Sequence, residues 1–355
     1  MSLSSIAEQV KDFTSGGFPV RKGTRSVPRG TFQDLSQSSS DIWFSRWTHN
    51  VFNNFPLISK CKGARFLHDA CHGMPAFVVG IGPSLDESIK DLKLAKKRSV
   101  IISTDAAFRA LLANGITPDL VISFDCKDDQ NRLWREIPLE TKVPGLLNSC
   151  CHRDTIMSWP GPILFYNQYH TQDELCKRIL PDVLPEIGQI PSAGTVGNMA
   201  LLAAYLMGCD PVCAVGMDFS YKKLDDGSWR YRAQDWRYDS NPDEAGVPPA
   251  WKMTEIKELY DNDERMARSF LQMDQERGSS FRTDPELDWY LKSFVDLMTN
   301  FKVPIVNCSP IGMIPVSFQA MTVVEAIEKY CKKEFQDGRT ILSHLGKIIP
   351  DPRKS

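Results

Sequence analysis

Ala76-Phe77-Val78-Val79-Gly80-Ile81-Gly82-Pro83-Ser84-Leu85-Asp86-Glu87 is the stretch on which the fold turns. Four apolar residues in a row, without alternation, mark a strand buried on both faces. Gly80 and Gly82 then let the backbone turn and approach a neighbour closely. Ser84 reads as an N-cap, and Glu87 three residues later completes a capping box over a helix from Asp86 to Lys97.

The same unit recurs outward from this stretch. Strands are predicted at Val100–Ser103, Leu120–Phe124, Pro162–Phe165, Val212–Gly216 and Val303–Asn307, with helices at Ala106–Ala113, Val196–Met207 and Glu286–Asn300. Short, continuous apolar strands alternating with helices imply a mainly parallel sheet covered on both faces. The right-handed crossover rule makes a doubly wound, Rossmann-like α/β domain the simplest topology, here spanning residues 76–330.

The flanks read differently. Residues 1–75 form a partly helical lead-in, with a Gly/Pro/Ser/Arg-rich part (Ser15–Ser40) and an aromatic part in which Trp43, Phe44, Trp47, Val51, Phe52 and Phe55 recur at helical spacing. That spacing fits a helix packed on the main domain, or a surface for a partner or acceptor. Residues 222–280 are a polar insertion rich in Asp, Arg, Trp, Tyr and Glu: a lid or recognition element, or a surface excursion. Residues 331–355 read as a basic tail.

Bulk properties exclude several classes. With a net charge of −2 over 355 residues, the chain lacks the basic balance of a nucleic-acid binder. Its ten cysteines form no Cys-x-x-Cys pair, and Cys150-Cys151-His152 lacks zinc spacing, so scattered thiols in a reducing compartment are expected. Neither a signal peptide's apolar core nor a run of about 20 apolar residues is present, and the expected location is cytoplasmic.

In open α/β sheets ligands sit beyond the carboxyl ends of the strands, so those loops carry the chemistry. Gly80, Gly82, Pro83 and Ser84 form the first. Its helix start offers N–H groups to a phosphate, but Asp86 and Glu87 oppose an anion, and Leu85 stands where the dinucleotide fingerprint has its third glycine. Asp105 ends the second strand and either bonds ribose hydroxyls or caps the next helix. Asp125 ends the third; the two carboxylates could share a Mg²⁺ with a diphosphate. Ser192, Gly194 and Thr195 open the 196–207 helix with small residues, hydroxyls and no acid, a better anion site than the first loop. Gly216-Met217-Asp218-Phe219-Ser220-Tyr221 adds another strand-end acid.

This ordered set resembles one family: the bacterial motility-associated factors, whose central domain is shared with archaeal 6-hydroxymethylpterin diphosphokinases. The motifs are Gly80-Ile81-Gly82-Pro83-Ser84-Leu85-Asp86, Asp105-Ala106-Ala107, Gly115-Ile116-Thr117-Pro118-Asp119, Asp125, Gly194-Thr195-Val196-Gly197 and Gly216–Tyr221, and the likeness runs over roughly residues 42–325. The first and last loops also resemble bacterial sialyltransferases that use CMP-sialic acid. The resemblance implies a CMP-linked nonulosonic (sialic-acid-like) sugar donor and a protein or glycan acceptor. Gly82, Pro83 and Ser84 would face the donor phosphate or sugar, Asp105 and Asp125 the nucleotide, with Gly194 and Thr195 on its other side. Asp218 would close the pocket. The sialyltransferases carry Asn where this chain has Ile81, and a histidine base where this chain has no histidine between His170 and His344. Asp218 is the expected base and Asp125 a second catalytic candidate; Tyr221 is expected at the ligand. The alternatives are diphosphate transfer from ATP with Mg²⁺, and a non-catalytic nucleotide-sugar-binding module.

Overall fold

The computed structural model of the chain describes residues 29–128, 130–134, 141–169, 187–191, 193–233, 266–299 and 301–334, with a few single positions between. Ser192, most of the 222–280 insertion (234–265) and the 335–355 part of the tail lie outside the described residues.

Among the described residues nine strands make one sheet. In chain order they are β1 (Ala76–Val79), β2 (Val100–Thr104), β3 (Leu120–Ser123), β4 (Gly145–Asn148), β5 (Ile163–Tyr169), β6 (Gln189–Pro191), β7 (Val212–Val215), β12 (Ile305–Asn307) and β13 (Gln319–Ala320). Between β7 and β12 fall two antiparallel hairpins, β8 (Lys222–Lys223) with β9 (Trp229–Arg230) and β10 (Phe270–Asp274) with β11 (Ser279–Thr283). The sheet order is β13-β12-β7-β1-β2-β3-β4-β5-β6, and every neighbouring pair is parallel. Beginning at β1, the chain lays down β2 to β6 on one side, crosses back, and continues with β7, β12 and β13 on the other. The order therefore reverses between β1 and β7, the place where an open α/β sheet leaves a crevice.

The central strands are apolar throughout because both faces are covered. One face packs Val78, Ile102, Ile122, Leu146, Leu164 and Ala214 against the helices Val196–Leu206 and Pro285–Met298. The other packs Phe77, Ile101 and Val215 against the helices Asp105–Ala113 and Val323–Tyr330. Further along that second face, Val121, Leu147 and Phe165 meet Trp47, Val51, Trp134 and Trp159.

Local chemistry sets the helix boundaries. Thr104 Oγ1 accepts the Ala107 N–H at 3.3 Å, Asp284 Oδ1 accepts those of Glu286 and Leu287 at 2.9 Å, and Thr322 forms a full capping box with Glu325. The box expected between Ser84 and Glu87 does not form. Ser84 is already helical and makes no side-chain cap bond, while Glu87 turns to Lys222. The long helix expected from Asp86 is a single turn, Leu85–Ser88, followed by a 3₁₀ segment, Asp91–Ala95. Ile89, Leu92 and Ala95 are buried at intervals of three, the period of a 3₁₀ helix.

The lead-in contains a helix, Arg29–Ile58. Trp47, Val51, Leu57 and Ile58 are buried against the domain, whereas Phe44 and Phe52 remain 45% and 67% exposed. Its amide side chains tie it to the strand-end loops. Asn50 Nδ2 donates to the carbonyls of Cys126 (3.0 Å) and Cys150 (2.9 Å), and Asn54 Nδ2 to those of Ser149 (3.2 Å) and Cys151 (2.7 Å). No helix among the described residues is long and apolar enough to cross a membrane.

Candidate functional site at the β1–β7 switch point

The loops after β1 and β7 are built as one unit. Gly80 N–H donates to Val215 O at 2.8 Å and Gly82 N–H to Gly216 O at 2.7 Å, so the two chains stay paired beyond the strands. Only glycine permits this: a Cβ on Gly80 would lie 2.7 Å from Gly216 O, and one on Gly82 would overlap Asp218 Oδ2. Gly216 adopts φ +62° and Phe219 the left-handed φ of +54°. A non-glycine residue in that region carries strain, so packing must hold this turn in place.

Asp218 sits at the centre. It is 1% exposed; its Oδ2 accepts the Ser84 N–H at 2.9 Å, and its Oδ1 is buried with no hydrogen-bond partner. Burial raises its pKa to about 7, against the opposing hydrogen bonding from Ser84 and the charge of Lys222. Met313 N–H bonds Asp218 O at 2.8 Å, and Ser309 Oγ accepts the Met217 N–H at 3.0 Å, so the loop after β12 braces the turn. Beside Asp218 opens a cavity of about 220 Å³ lined by Pro83, Glu87, Asp218, Ser220, Tyr221, Lys222, Lys223 and Ile311.

Sequence reasoning missed what the start of the insertion does. Asp86 and Glu87 repel an anion when read along the chain. In the fold Arg230 pairs with Asp86, and Lys222 Nζ lies 2.6 Å from Glu87 Oε1. Ala233 N–H donates to Ile81 O at 2.7 Å. The hairpin β8–β9 is thus strapped over the glycine loop and neutralises its acids. Opposite charges 135 and 144 residues apart leave no local signature.

The other expected residues fall into two places. Gly194 (φ +78°) and Thr195 begin the Val196–Leu206 helix, which runs beneath β1, β2 and β3. A Cβ on Gly197 would lie 2.9 Å from Met217 Cε, so this helix start reaches the residue next to Asp218. Thr195 makes no side-chain cap bond. Asp105 is buried at the end of β2, with Thr104, not Asp105, as the N-cap. Its carboxylate accepts Ser123 Oγ (2.7 Å), Gln130 Nε2 (2.9 Å) and the Ala106 N–H (2.7 Å). Burial raises its pKa, those hydrogen bonds oppose the rise, and nearby Asp125 adds to it. Asp125 is half-buried: Oδ1 accepts the Lys127 N–H at 3.1 Å and Lys127 Nζ is 3.9 Å from Oδ2. Tyr221 donates its hydroxyl to Asp284 Oδ2 at 2.9 Å, so it lines the cavity with a hydroxyl turned to the fold. Gly80, Gly82, Pro83, Ser84, Asp218 and Tyr221 therefore gather at the switch point. Asp105 and Asp125 pair beyond β2 and β3, and Gly194 and Thr195 lie across the sheet edge. Among the described residues no cluster of three or more His, Cys, Asp or Glu side chains is arranged to hold a metal.

A parallel, doubly wound sheet with a glycine turn after β1 facing a Gly-x-Asp turn after β7 defines a Rossmann-like α/β domain. The sequence profile described as 6-hydroxymethylpterin diphosphokinase MptE-like matches residues 49–224. The 6-hydroxymethyl-7,8-dihydropterin pyrophosphokinase of Pyrococcus furiosus is 30% identical over 185 residues, covering 51% of this chain and 67% of that enzyme. The chain belongs to the MptE-like family. Its fold is also similar to the MAf glycosyltransferase from Magnetospirillum magneticum AMB-1 (TM-score 0.53, 16% identity), over 82% of this chain and 42% of the glycosyltransferase. The chain thus spans about two-fifths of that protein's length, and the likeness is one of fold.

Proposed function

We propose that the chain is a glycosyltransferase of the motility-associated-factor type, moving a nonulosonic sugar from a CMP-linked donor to a protein or glycan acceptor in the cytoplasm. The observation that carries this reading is Asp218: a buried carboxyl with a pKa of about 7, one oxygen unpartnered, at the switch point and beside an open cavity. A group titrating near neutrality suits a general base, in a chain that has no counterpart of the sialyltransferase histidine after the Gly-x-Asp turn. Asp218 would take the acceptor hydroxyl's proton as the glycosidic bond to the CMP phosphate breaks. The phosphate would be received by the N–H groups at the Thr195–Gly197 helix start, which carries no acid in its first turn. Asp125 would bond the ribose.

Diphosphate transfer from ATP is the second reading, favoured by the identity to the Pyrococcus enzyme. Its Mg²⁺ fits poorly here. Both oxygens of Asp105 already accept protein donors, and Asp125 is engaged by the N–H and the ammonium of Lys127. No step is therefore assigned to a metal.

Calorimetric titration with CMP, CDP, UDP and ATP, each with and without Mg²⁺, decides between the readings. The proposal expects metal-independent binding of CMP that weakens when Thr195–Gly197 is altered. Absence of cytidine-nucleotide binding refutes it, and Mg²⁺-dependent binding of ATP alone establishes the second reading instead.

A further inference from the structure

Asp218 is held by its backbone as well as by its carboxyl. Met313 N–H donates to its carbonyl at 2.8 Å, and Gly312 packs so closely that a Cβ there would lie 2.5 Å from Asp218 Cα. The Gly312–Ile314 loop after β12 therefore fixes where the Asp218 backbone sits. On the other side β11 holds the residues that follow. Thr283 Oγ1, from a fully buried residue, donates to Phe219 O at 3.0 Å, and Tyr221 N–H donates to Arg282 O at 2.8 Å. Phe219 keeps its left-handed φ of +54° between these attachments, and a non-glycine residue stays there only where its surroundings hold it.

One side chain joins the two sides. Arg277 lies in the turn between β10 and β11, where Asp274 Oδ1 accepts the N–H groups of Glu276 (3.0 Å) and Arg277 (3.1 Å) and Asp274 Oδ2 pairs with Arg277 Nη1 at 3.2 Å. The same Nη1 donates to Gly312 O at 2.9 Å and Nη2 donates to Ile314 O, so the guanidinium spans the loop with both nitrogens. The Phe281 ring of β11 stands beside it, 5.5 Å from the guanidinium carbon. Gly312 and Ile314 are buried, and a buried carbonyl that loses its donor destabilises the conformation that buries it. Lysine offers one nitrogen where this contact uses two at a fixed spacing.

We propose that Arg277 is a positioning residue for Asp218: it ties the β10–β11 hairpin to the Gly312–Ile314 loop, and together they grip the Asp218–Tyr221 turn from both sides. Arg277 acts through the backbone, and its own charge is met by Asp274. Burial is the main reason the Asp218 carboxyl titrates high; hydrogen bonding from Ser84 opposes it, Glu87 adds to the rise, and Lys222 works against it. The use of this turn in catalysis rests on the reading of Asp218 as the base; the grip on the turn does not.

Stability as a function of pH in wild type, Arg277→Ala and Arg277→Lys, each with and without Asp218→Asn, reads the Asp218 titration in each background. Loosening the turn lets water reach the carboxyl and relieves the burial that raises its pKa, so both Arg277 variants should move the midpoint down by at least about one pH unit. Asn54→Ala, destabilising at the end of β4, four strands from β7, should leave the midpoint in place. A wild-type midpoint that stays unchanged in Arg277→Ala overturns the proposal. An upward shift overturns it too, because it marks the loss of a nearby positive charge, and so does wild-type behaviour in Arg277→Lys, which keeps the charge without the fork. Hydrogen exchange gives a second readout on the full chain. Amides 217–221 should exchange at least about tenfold faster in Arg277→Ala, with those of β3 and β4 as in wild type. Protection retained at 217–221 refutes the role. If Asp218 shows no titration in wild type while exchange rises at 217–221 alone, the base reading fails and the positioning of the turn by Arg277 stands.

Discussion

Replacing Asp218 by Asn removes one charge and leaves the size of the side chain almost unchanged. The Asn oxygen can still accept the Ser84 N–H that now bonds Oδ2 at 2.9 Å, so the turn keeps its contact. What changes is the titration. The carboxyl moves from an ordinary 3.8 to about 7 on folding, because burial disfavours its charged form. At about 1.4 kcal/mol for each pH unit, that displacement corresponds to about 4 kcal/mol. The native state holds the proton more tightly than the unfolded chain, so this stabilisation is fully present below about pH 4 and is lost as pH rises to about 7. Above that, the ionised buried carboxylate costs the fold the full amount. Guanidinium denaturation of wild type and Asp218→Asn at half-unit intervals from pH 4.5 to 8 reads the difference directly. The variant should gain on wild type steadily across this range and end a few kcal/mol more stable, with the difference level above about pH 7.5. Parallel pH profiles would show that Asp218 does not titrate in this window. The neutral-pH base assigned to it would then have no foundation.

Two further substitutions test the architecture of the site. Gly82→Ala places a methyl group against Gly216 O, at 2.7 Å, and into Asp218 Oδ2. It should destabilise by about 1–3 kcal/mol and abolish ligand-induced thermal stabilisation, whereas Ile81→Asn, at the position where the sialyltransferases differ, should keep the fold. Asn54→Ala strips a donor pair from the buried carbonyls of Ser149 and Cys151, and two lost bonds of this kind amount to about 2–4 kcal/mol in chemical denaturation. Asn54→Asp keeps the shape but not the donors and should fall at least as far; stability equal to wild type would mean that the helix does not hold these loops.

The predicted strands β1, β2, β3, β7 and β12 are present because each is a short apolar run flanked by turn chemistry, and a doubly buried strand can be written in few other ways. β4 was not legible: Gly145-Leu146-Leu147-Asn148 holds only two large apolar residues, and it is buried by the core on both faces, with Trp159 packed against Gly145. β6 is likewise a three-residue edge strand, Gln189–Pro191, which carries too little pattern of its own. The strand-end acids were visible as acids, but their states were not. Asp105 is sealed by Ser123 and Gln130, 18 and 25 residues away, while Asp218 keeps one oxygen unpartnered. Two residues of one type thus reach different chemistry through partners that no local window contains.

Hydrophobic period and glycine placement, read along the chain, determined the α/β class and the carboxyl-end loops as the place to look, because both act over a few neighbouring residues. Only the tertiary structure decided that β1 and β7 stand side by side, that Arg230 and Lys222 cancel Asp86 and Glu87, and that Asp218 is buried beside a cavity. Charge pairing and desolvation depend on distance in space, and residues 134 positions apart come into contact only when the sheet has assembled.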